Sequence, residues 1–540
     1  VSRTFFLFLI LAVAAPASVS HRSAGSGLLT WDELRELYAQ AHPGGAAEAK
    51  LNRLLRTPFV SNAAGAHPLK PVVAGRGRVL RVAQWNIERG LEFEAVEAAL
   101  GNSRKLVSLM ETRDPKVSSE DTQRAAEQAD ALREADVVVL NEVDWGVNRT
   151  MFRNVAAELA GALHMNYAYG VEFVEVDPIT MGLERDVVVQ EVRDSWHPAA
   201  GDAGGQRNQE EMLDWLQRVM TPEPARYRGL HGSAILSRYP LSRVRLIPFR
   251  YQGHDWYADE RARSSEIEKA KRTAGMMVFR EQMIRQVRRG GRMMLLADVT
   301  DRQLPAGRVT IVATHLEDMT APSGRRKQLE EVLAQIRTIR NPVVLAGDMN
   351  TSTHDETPMT VARLMRQHFG SARWWAEEGV TEGLKYGTPL GWMFEASFGV
   401  VGTARKLDDP TEVSIPLLGE NHEHRFFKEL EEFRFADGRA FDFRGNRERT
   451  SNGRAGLLAD SNERGEKGFV PTDELGRTMG PIGQYKLDWI FVSPPGVMKP
   501  RDDGQPWRFA PENGRTLKAL NHAIPGKISD HNPIFVDLPF

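Results

Sequence analysis

An α/β fold is predicted by two features of this sequence. From Arg78 onward, short apolar runs rich in Val and Ile alternate with stretches of helical period, and acid, amide or imidazole residues stand where those runs stop. The runs cover 79–85, 136–141, 232–237, 293–299, 308–314, 342–347, 486–493 and 533–538. The polar residues at their margins are Asn86, Glu142, His315, Asp348 with Asn350, Asp488, and Asp530 with His531. Hard oxygen donors and histidines gathered at strand ends suit metal-assisted phosphoester hydrolysis.

Arg3, the apolar stretch Phe5 to Ala15 and the small residues Ala15-Pro16-Ala17 have the pattern of an export signal. Residues 1–20 are therefore expected to be a signal peptide, cleaved after Ala17 or Ser20, and the protein to be secreted or periplasmic. Ser23 to Gly27 is a short connector, and Thr30-Trp31-Asp32-Glu33 forms a capping box that opens an amphipathic helix through Leu34, Leu37 and Tyr38. Residues 21–75 thus read as a linker and helical extension, and 76–540 as the main domain. Within it, Phe152, Val155, Ala156, Leu159 and Leu163 share one helical face, as do Leu329, Val332, Leu333 and Ile336. Three long segments near 177–229, 252–290 and 352–482 break the strand rhythm and read as insertions. Arg261 to Arg289 reads as a solvated helix. Trp374-Trp375, Trp392 and Phe394, with many Gly and charged residues, lead to the expectation that the third segment is partly ordered, and its place between two site motifs is expected to set it near the site mouth.

Composition narrows the class. Hydrophobic residues make up 41% and charged residues 26%, ordinary for a soluble globular protein, and the chain contains no cysteine, so no disulfide can form. No internal apolar run approaches the roughly 18 residues of a membrane span.

Glu142 closes an apolar run without alternation, the signature of a strand buried on both faces. A carboxylate there must be paired or coordinated. A salt bridge would satisfy it alone; with Asp530 and Asn86 also at strand margins, a shared divalent cation explains all three. All-oxygen ligands point to Mg²⁺ or Mn²⁺ before Zn²⁺. Gly347-Asp348-Met349-Asn350 has the composition of an ordinary turn, but it follows a strand and presents two polar groups. Asp348 would orient or deprotonate an attacking water, and Asn350 would hold that water or a nonbridging phosphate oxygen. Asp488 is expected to bond His531 and set its tautomer. His315 ends a strand, whereas His164, His231 and His354 read as structural.

Trp85-Asn86-Ile87-Glu88, Asn141-Glu142, Ser233 to Arg238, Thr314-His315-Leu316, Gly347 to Asn350, Leu487-Asp488 and Ser529-Asp530-His531 together resemble the DNase I-like endonuclease/exonuclease/phosphatase superfamily, in the family's order. The resemblance implies a four-layer α/β sandwich, with two mixed β-sheets packed face to face, helices outside and the site at one edge. It implies Glu142 as principal metal ligand with Asn86 and Asp530 nearby, and Asp348 and Asn350 serving the water. His315, and His531 held by Asp488, would contact the scissile phosphate; Glu88 would stand behind the metal ligands. Asn141 and Met349 depart mildly from the family pattern.

The expected activity is that of an exported phosphodiesterase or phosphatase using Mg²⁺ or Mn²⁺. A secreted endonuclease acting on DNA or RNA and a non-catalytic phosphate-binding or interaction module are the alternatives. Net charge is −2; residues 351–480 hold 22 acidic against 17 basic residues and 177–229 hold 10 against 6. Acidic segments around a groove repel a long polyanion, so a small phosphodiester or a lipid headgroup is favoured over nucleic acid.

Overall fold

The computed structural model describes residues 27–184, 221–262, 286–351, 423–442, 461–465, 468–474, 484–496 and 509–540, with single positions between 186 and 213. The export signal, most of the connector, His354, Trp374, Trp375, Trp392, Phe394 and residues 263–285 lie outside these. In chain order the strands are β1 (Phe59–Ser61), β2 (Val72–Val73), β3 (Gly77–Arg89), β4 (Val137–Trp145), β5 (Asn166–Glu175), β6 (Leu230–Ser237), β7 (Leu241–Pro248), β8 (Arg288–Gly290) and β9 (Met293–Thr300). They continue with β10 (Arg308–His315), β11 (Val343–Asp348), β12 (Arg464–Gly465), β13 (Gly468–Phe469), β14 (Asp473–Glu474), β15 (Gln484–Tyr485), β16 (Asp488–Ser493), β17 (Glu512–Thr516) and β18 (Ile534–Pro539). The longer helices are α1 (Trp31–Ala39), α2 (Gly45–Leu54), α3 (Phe93–Gly101), α4 (Ser103–Arg113), α5 (Ser119–Arg133), α6 (Val155–Ala162), α7 (Pro322–Ile336) and α8 (His424–Glu432).

Two large mixed sheets result. One runs β1-β5-β6-β4-β3-β18-β17 and the other β16-β11-β10-β9-β7. Side chains alternate across each strand, which sorts the apolar residues into three cores. Val82, Val137, Val139 and Ile235 of the first sheet meet Leu295, Ile311, Ala313, Val344 and Ile490 of the second in a middle core. Trp85, Val138 and Leu140 face the other way, onto Val96, Leu106, Ala125 and Leu159 of the helices over the first sheet. Leu296, Val312 and Leu345 face α7 and α8 through Leu329, Val332, Ile336, Phe426 and Phe427. This is the four-layer sandwich, and it explains why the β4 run shows no alternation: both its faces are buried.

The Thr30 capping box forms as expected, with Glu33 N–H on the Thr30 hydroxyl and the Glu33 carboxylate on Thr30 N–H. Leu34, Leu37 and Leu54 of the extension are buried in the same core as Trp85. Two expectations are corrected. Helix α6 starts only at Val155, because the Asn154 side chain caps it by accepting from Ala157 N–H, and Phe152 lies before it with φ 59°. The end of the stretch Arg261–Arg289 is strand, not solvated helix: β8 pairs with β5, and Arg288 is buried with its guanidinium 2.9 Å from Glu175. Residues 423–442, inside the third long segment, carry α8 and belong to the core of the second sheet.

Candidate active site

The parallel strands β3 and β4 carry Asn86 opposite Asn141, and both ladders change register just beyond. At this bulge Glu88, Arg89 and Glu142 adopt φ of 46°, 65° and 50°. Non-glycine residues hold that conformation only where their surroundings over-determine it, and bulges re-aim side chains. Asn86 and Glu142 consequently meet: Asn86 Nδ2 donates to Glu142 Oε1 at 3.3 Å and to Asp348 Oδ2 at 3.1 Å.

The second sheet supplies the facing wall. His315 ends β10 opposite Asp348 of β11, and Asp488 opens β16 opposite Asp348 on the other side. Gly347 makes this closeness feasible: its φ is 153°, and a Cβ there would stand 1.8 Å from the Thr314 carbonyl oxygen. Two amides tie the sheets together. Asn141 Oδ1 accepts from Asp348 N–H at 2.9 Å and from Gln84 Nε2 at 3.2 Å, while Gln84 Nε2 also donates to Asp488 Oδ1 at 2.8 Å. Asn350 N–H donates to Asp348 Oδ1 and Asn350 Nδ2 to the Leu316 carbonyl, each at 2.9 Å. Its buried Oδ1 has no hydrogen-bond partner among the described residues.

The loop before β18 closes the site. Ser529 Oγ donates to the Asn86 carbonyl at 2.7 Å, and Trp85 Nε1 donates to the His531 carbonyl at 2.8 Å. His531 Nδ1 lies 2.7 Å from Asp488 Oδ2, the pairing expected from the sequence. Its Nε2 stands 3.7 Å from Asp348 Oδ2 and 4.0 Å from Asp530 Oδ1. Burial disfavours a charged imidazole, but Asp488, Asp348 and Asp530 outweigh it and hold His531 protonated well above the usual histidine range. Burial pushes Asp348 up to about 7, against the pull of His531. Asp348, Asp488 and His531 are the one described group of three whose ligand atoms lie within 4.8 Å of one another. The short Asp488–His531 bond engages Nδ1 of the imidazole and leaves Nε2 turned toward Asp348 and Asp530.

Glu88, Glu142 and Asp530 are half-buried at the rim. Burial would raise Glu142, yet Arg89, His231, His531 and Arg292 pull it down to about 2, so it stays ionised. Burial and the Asp530 charge push Glu88 up to about 8, and burial raises Asp530 as well. Carboxylates crowded in this way are a setting that a cation relieves.

The fold thus brings all nine anticipated residues to one edge: Asn86, Glu88, Glu142, His315, Asp348, Asn350, Asp488, Asp530 and His531. It adds groups that no motif marked. Arg292 touches His315 and is buried among Glu172, Glu317 and Asp318. Trp256 Nε1 donates to Glu317 at 3.0 Å. Asp473 forms an isolated bridge with His531, and burial raises its carboxyl well above the usual range. His231, read as structural, is buried with Nδ1 2.9 Å from Asp144, and it also lowers Glu142. A charged residue beside an apolar run was the only available signal for Arg292.

Residues 83–531 match the sequence pattern of the Endonuclease/Exonuclease/phosphatase family. The chain belongs to this family. Members of the Endonuclease/Exonuclease/phosphatase family are generally phosphoester hydrolases and generally use divalent metals. Among solved structures the chain is similar to an endonuclease/exonuclease/phosphatase from Beutenbergia cavernae DSM 12333, at 17% identity and TM-score 0.37, covering 86% of this chain and 72% of that one. It is also similar to the human Nocturnin catalytic domain with bound sulfate, at 11% identity and TM-score 0.33, covering 90% and 97%. A third is a 3′ phosphatase from Neisseria bound to a product DNA hairpin, at 11% identity and TM-score 0.35, covering 85% and 100%. A comparison with curated proteins returns no match.

Proposed function

We propose that this family member is an exported, divalent-metal-dependent phosphoester hydrolase that directs a water molecule in line at phosphorus. Export rests on the N-terminal pattern of residues 1–20. The observation that carries the chemistry is the pair of groups around Asp348: a carboxylate whose proton affinity lies near neutrality and, beside it, the free Oδ1 of Asn350. Water is a donor, and both groups accept. Asn350 therefore serves the water in preference to a phosphate oxygen, its Nδ2 being engaged by Leu316.

The rim acids fit a hard cation by their chemistry, with Glu142 kept ionised and Asn86 and Asp530 beside it. Mg²⁺ or Mn²⁺ held there would polarise the phosphoryl oxygens and stabilise charge on them. Asp348 would take the proton of the water. His531, cationic and held by Asp488, would bind a phosphoryl oxygen. His315 would donate a further hydrogen bond. Acidic stretches in the long segments support a small phosphodiester, phosphomonoester or lipid headgroup as substrate.

The test is hydrolysis of bis-p-nitrophenyl phosphate, p-nitrophenyl phosphate, plasmid DNA, sphingomyelin and inositol polyphosphates with Mg²⁺, Mn²⁺ or EDTA, for the wild type, Asp348→Ala and His531→Ala. EDTA-sensitive turnover lost in both variants is expected. Turnover of plasmid DNA alone with steep salt dependence would replace the reading by a nuclease, and no turnover on any substrate would replace it by a binding module.

A further inference from the structure

Asp348 Oδ2 is faced by two histidines, His315 Nε2 at 3.6 Å and His531 Nε2 at 3.7 Å. Their other ring nitrogens meet opposite partners. His531 Nδ1 meets the carboxylate of Asp488, whereas His315 Nδ1 meets the guanidinium of Arg292, with Nη1 at 2.7 Å. A guanidinium has five donors and no acceptor, so His315 Nδ1 must accept and the ring proton must sit on Nε2.

We propose that Arg292 is a positioning residue that locks His315 in its neutral Nε2–H form, making it a fixed hydrogen-bond donor aimed at the reacting phosphoryl group while His531 carries the positive charge. The division of labour rests on the hydrolase reading given above. Arg292 is itself immobile. Its Nη1 donates to Glu172 at 3.0 Å and its Nη2 to Asp318 at 3.2 Å, and its Nε lies 3.6 Å from Glu317. Glu172 cannot take over the imidazole. Its Oε2 is 3.7 Å from His315 Nδ1 and already accepts from Arg292, and its Oε1 accepts from Ser233 Oγ at 2.5 Å.

The surrounding charges agree. Burial, Arg292, His231 and His531 all disfavour an imidazolium at His315, and Asp318 opposes them; the result lies well below the usual histidine range. Asp348 and Glu172 also face the ring, at 3.6 Å from Nε2 and 3.7 Å from Nδ1 respectively.

The first measurement is a long-range ¹H–¹⁵N spectrum of the ¹⁵N-histidine protein, with His315→Gln assigning the signal. It needs no substrate, so it decides the tautomer even if the hydrolase reading fails. A neutral ring protonated only at Nε2 between about pH 5.5 and 8.5 is expected. An Nδ1–H ring or an imidazolium at neutral pH would overturn the proposal.

The second compares Arg292→Lys with Arg292→Gln on the best substrate of the panel, after thermal melts show which variants fold. Lysine also donates only, so it is expected to preserve the tautomer and keep kcat within about tenfold. Glutamine lets Nδ1 take the proton and leaves Nε2 bare above the histidine pKa. There kcat should fall by about a hundredfold with KM little changed, and the deficit relative to the wild type at the same pH should shrink toward acid pH as the ring protonates. If the two variants fall equally with an unaltered pH profile, Arg292 only holds the fold.

Discussion

Asp348 concentrates the chemistry of single residues. It accepts from Asn86 and Asn350, lies beside both His315 and His531, and is pushed by burial to about 7. It can take a proton from water only when ionised, so activity is present above that value and is lost as pH falls through it. A kcat/KM profile rising through about pH 7, absent in Asp348→Asn with a loss of about a thousandfold, is expected. A flat profile in the wild type between pH 5 and 9 would remove Asp348 from the role of base. Asp348, Asp488, Asn86, Glu142 and His531 were legible in the sequence because each interrupts or follows an apolar run at a strand margin. Arg292 was not: its burial depends on Glu172, 120 positions away, and pairing over such distance leaves no local pattern.

At the scale of elements, the site is made by where strands end and how they bend. The β10–β11 contact at Thr314 and Gly347 has no room for a side chain. Gly347→Ala is expected to cost about 3 kcal/mol or more, through a Cβ driven against a backbone carbonyl at a φ that L residues avoid. Urea unfolding checks it, and an unchanged midpoint would show that the strands move apart freely. The eight apolar runs became strands because burial on both faces writes itself as uninterrupted Val, Ile and Leu. Strand β5 escaped because it carries Glu172 and Glu175, whose charges are neutralised inside by Arg292, Arg149 and Arg288. Helix α5 escaped because it buries only Ala125, Ala129 and Leu132, a stripe too thin to stand out among its charges.

Across the whole molecule, stability depends partly on buried ion pairs where a chain without cysteine has no covalent link. Arg149 grips Asp144 through two bonds of 2.7 and 3.0 Å and reaches Glu175 at 3.1 Å, while His231 closes on Asp144. Burial would raise Asp144, but Arg149 and His231 bring it down to about 2. A carboxylate with a depressed folded pKa adds stability that is complete above its unfolded value near 4 and disappears as pH falls through the folded one. Asp144 should contribute about 2 kcal/mol at neutral pH, lost between about pH 4 and 2. Asp144→Asn is expected to flatten that part of the pH–stability curve, as read by melting temperature; a curve parallel to the wild type would assign acid sensitivity elsewhere. The amide bridges from Asn141 and Gln84 to Asp348 and Asp488 have a wider consequence. The groups proposed to perform the chemistry also fasten the two halves of the sandwich, so the molecule has no cheap way to fall silent while still folded. Inactivation and collapse should arrive together along a denaturant series, as one cooperative event.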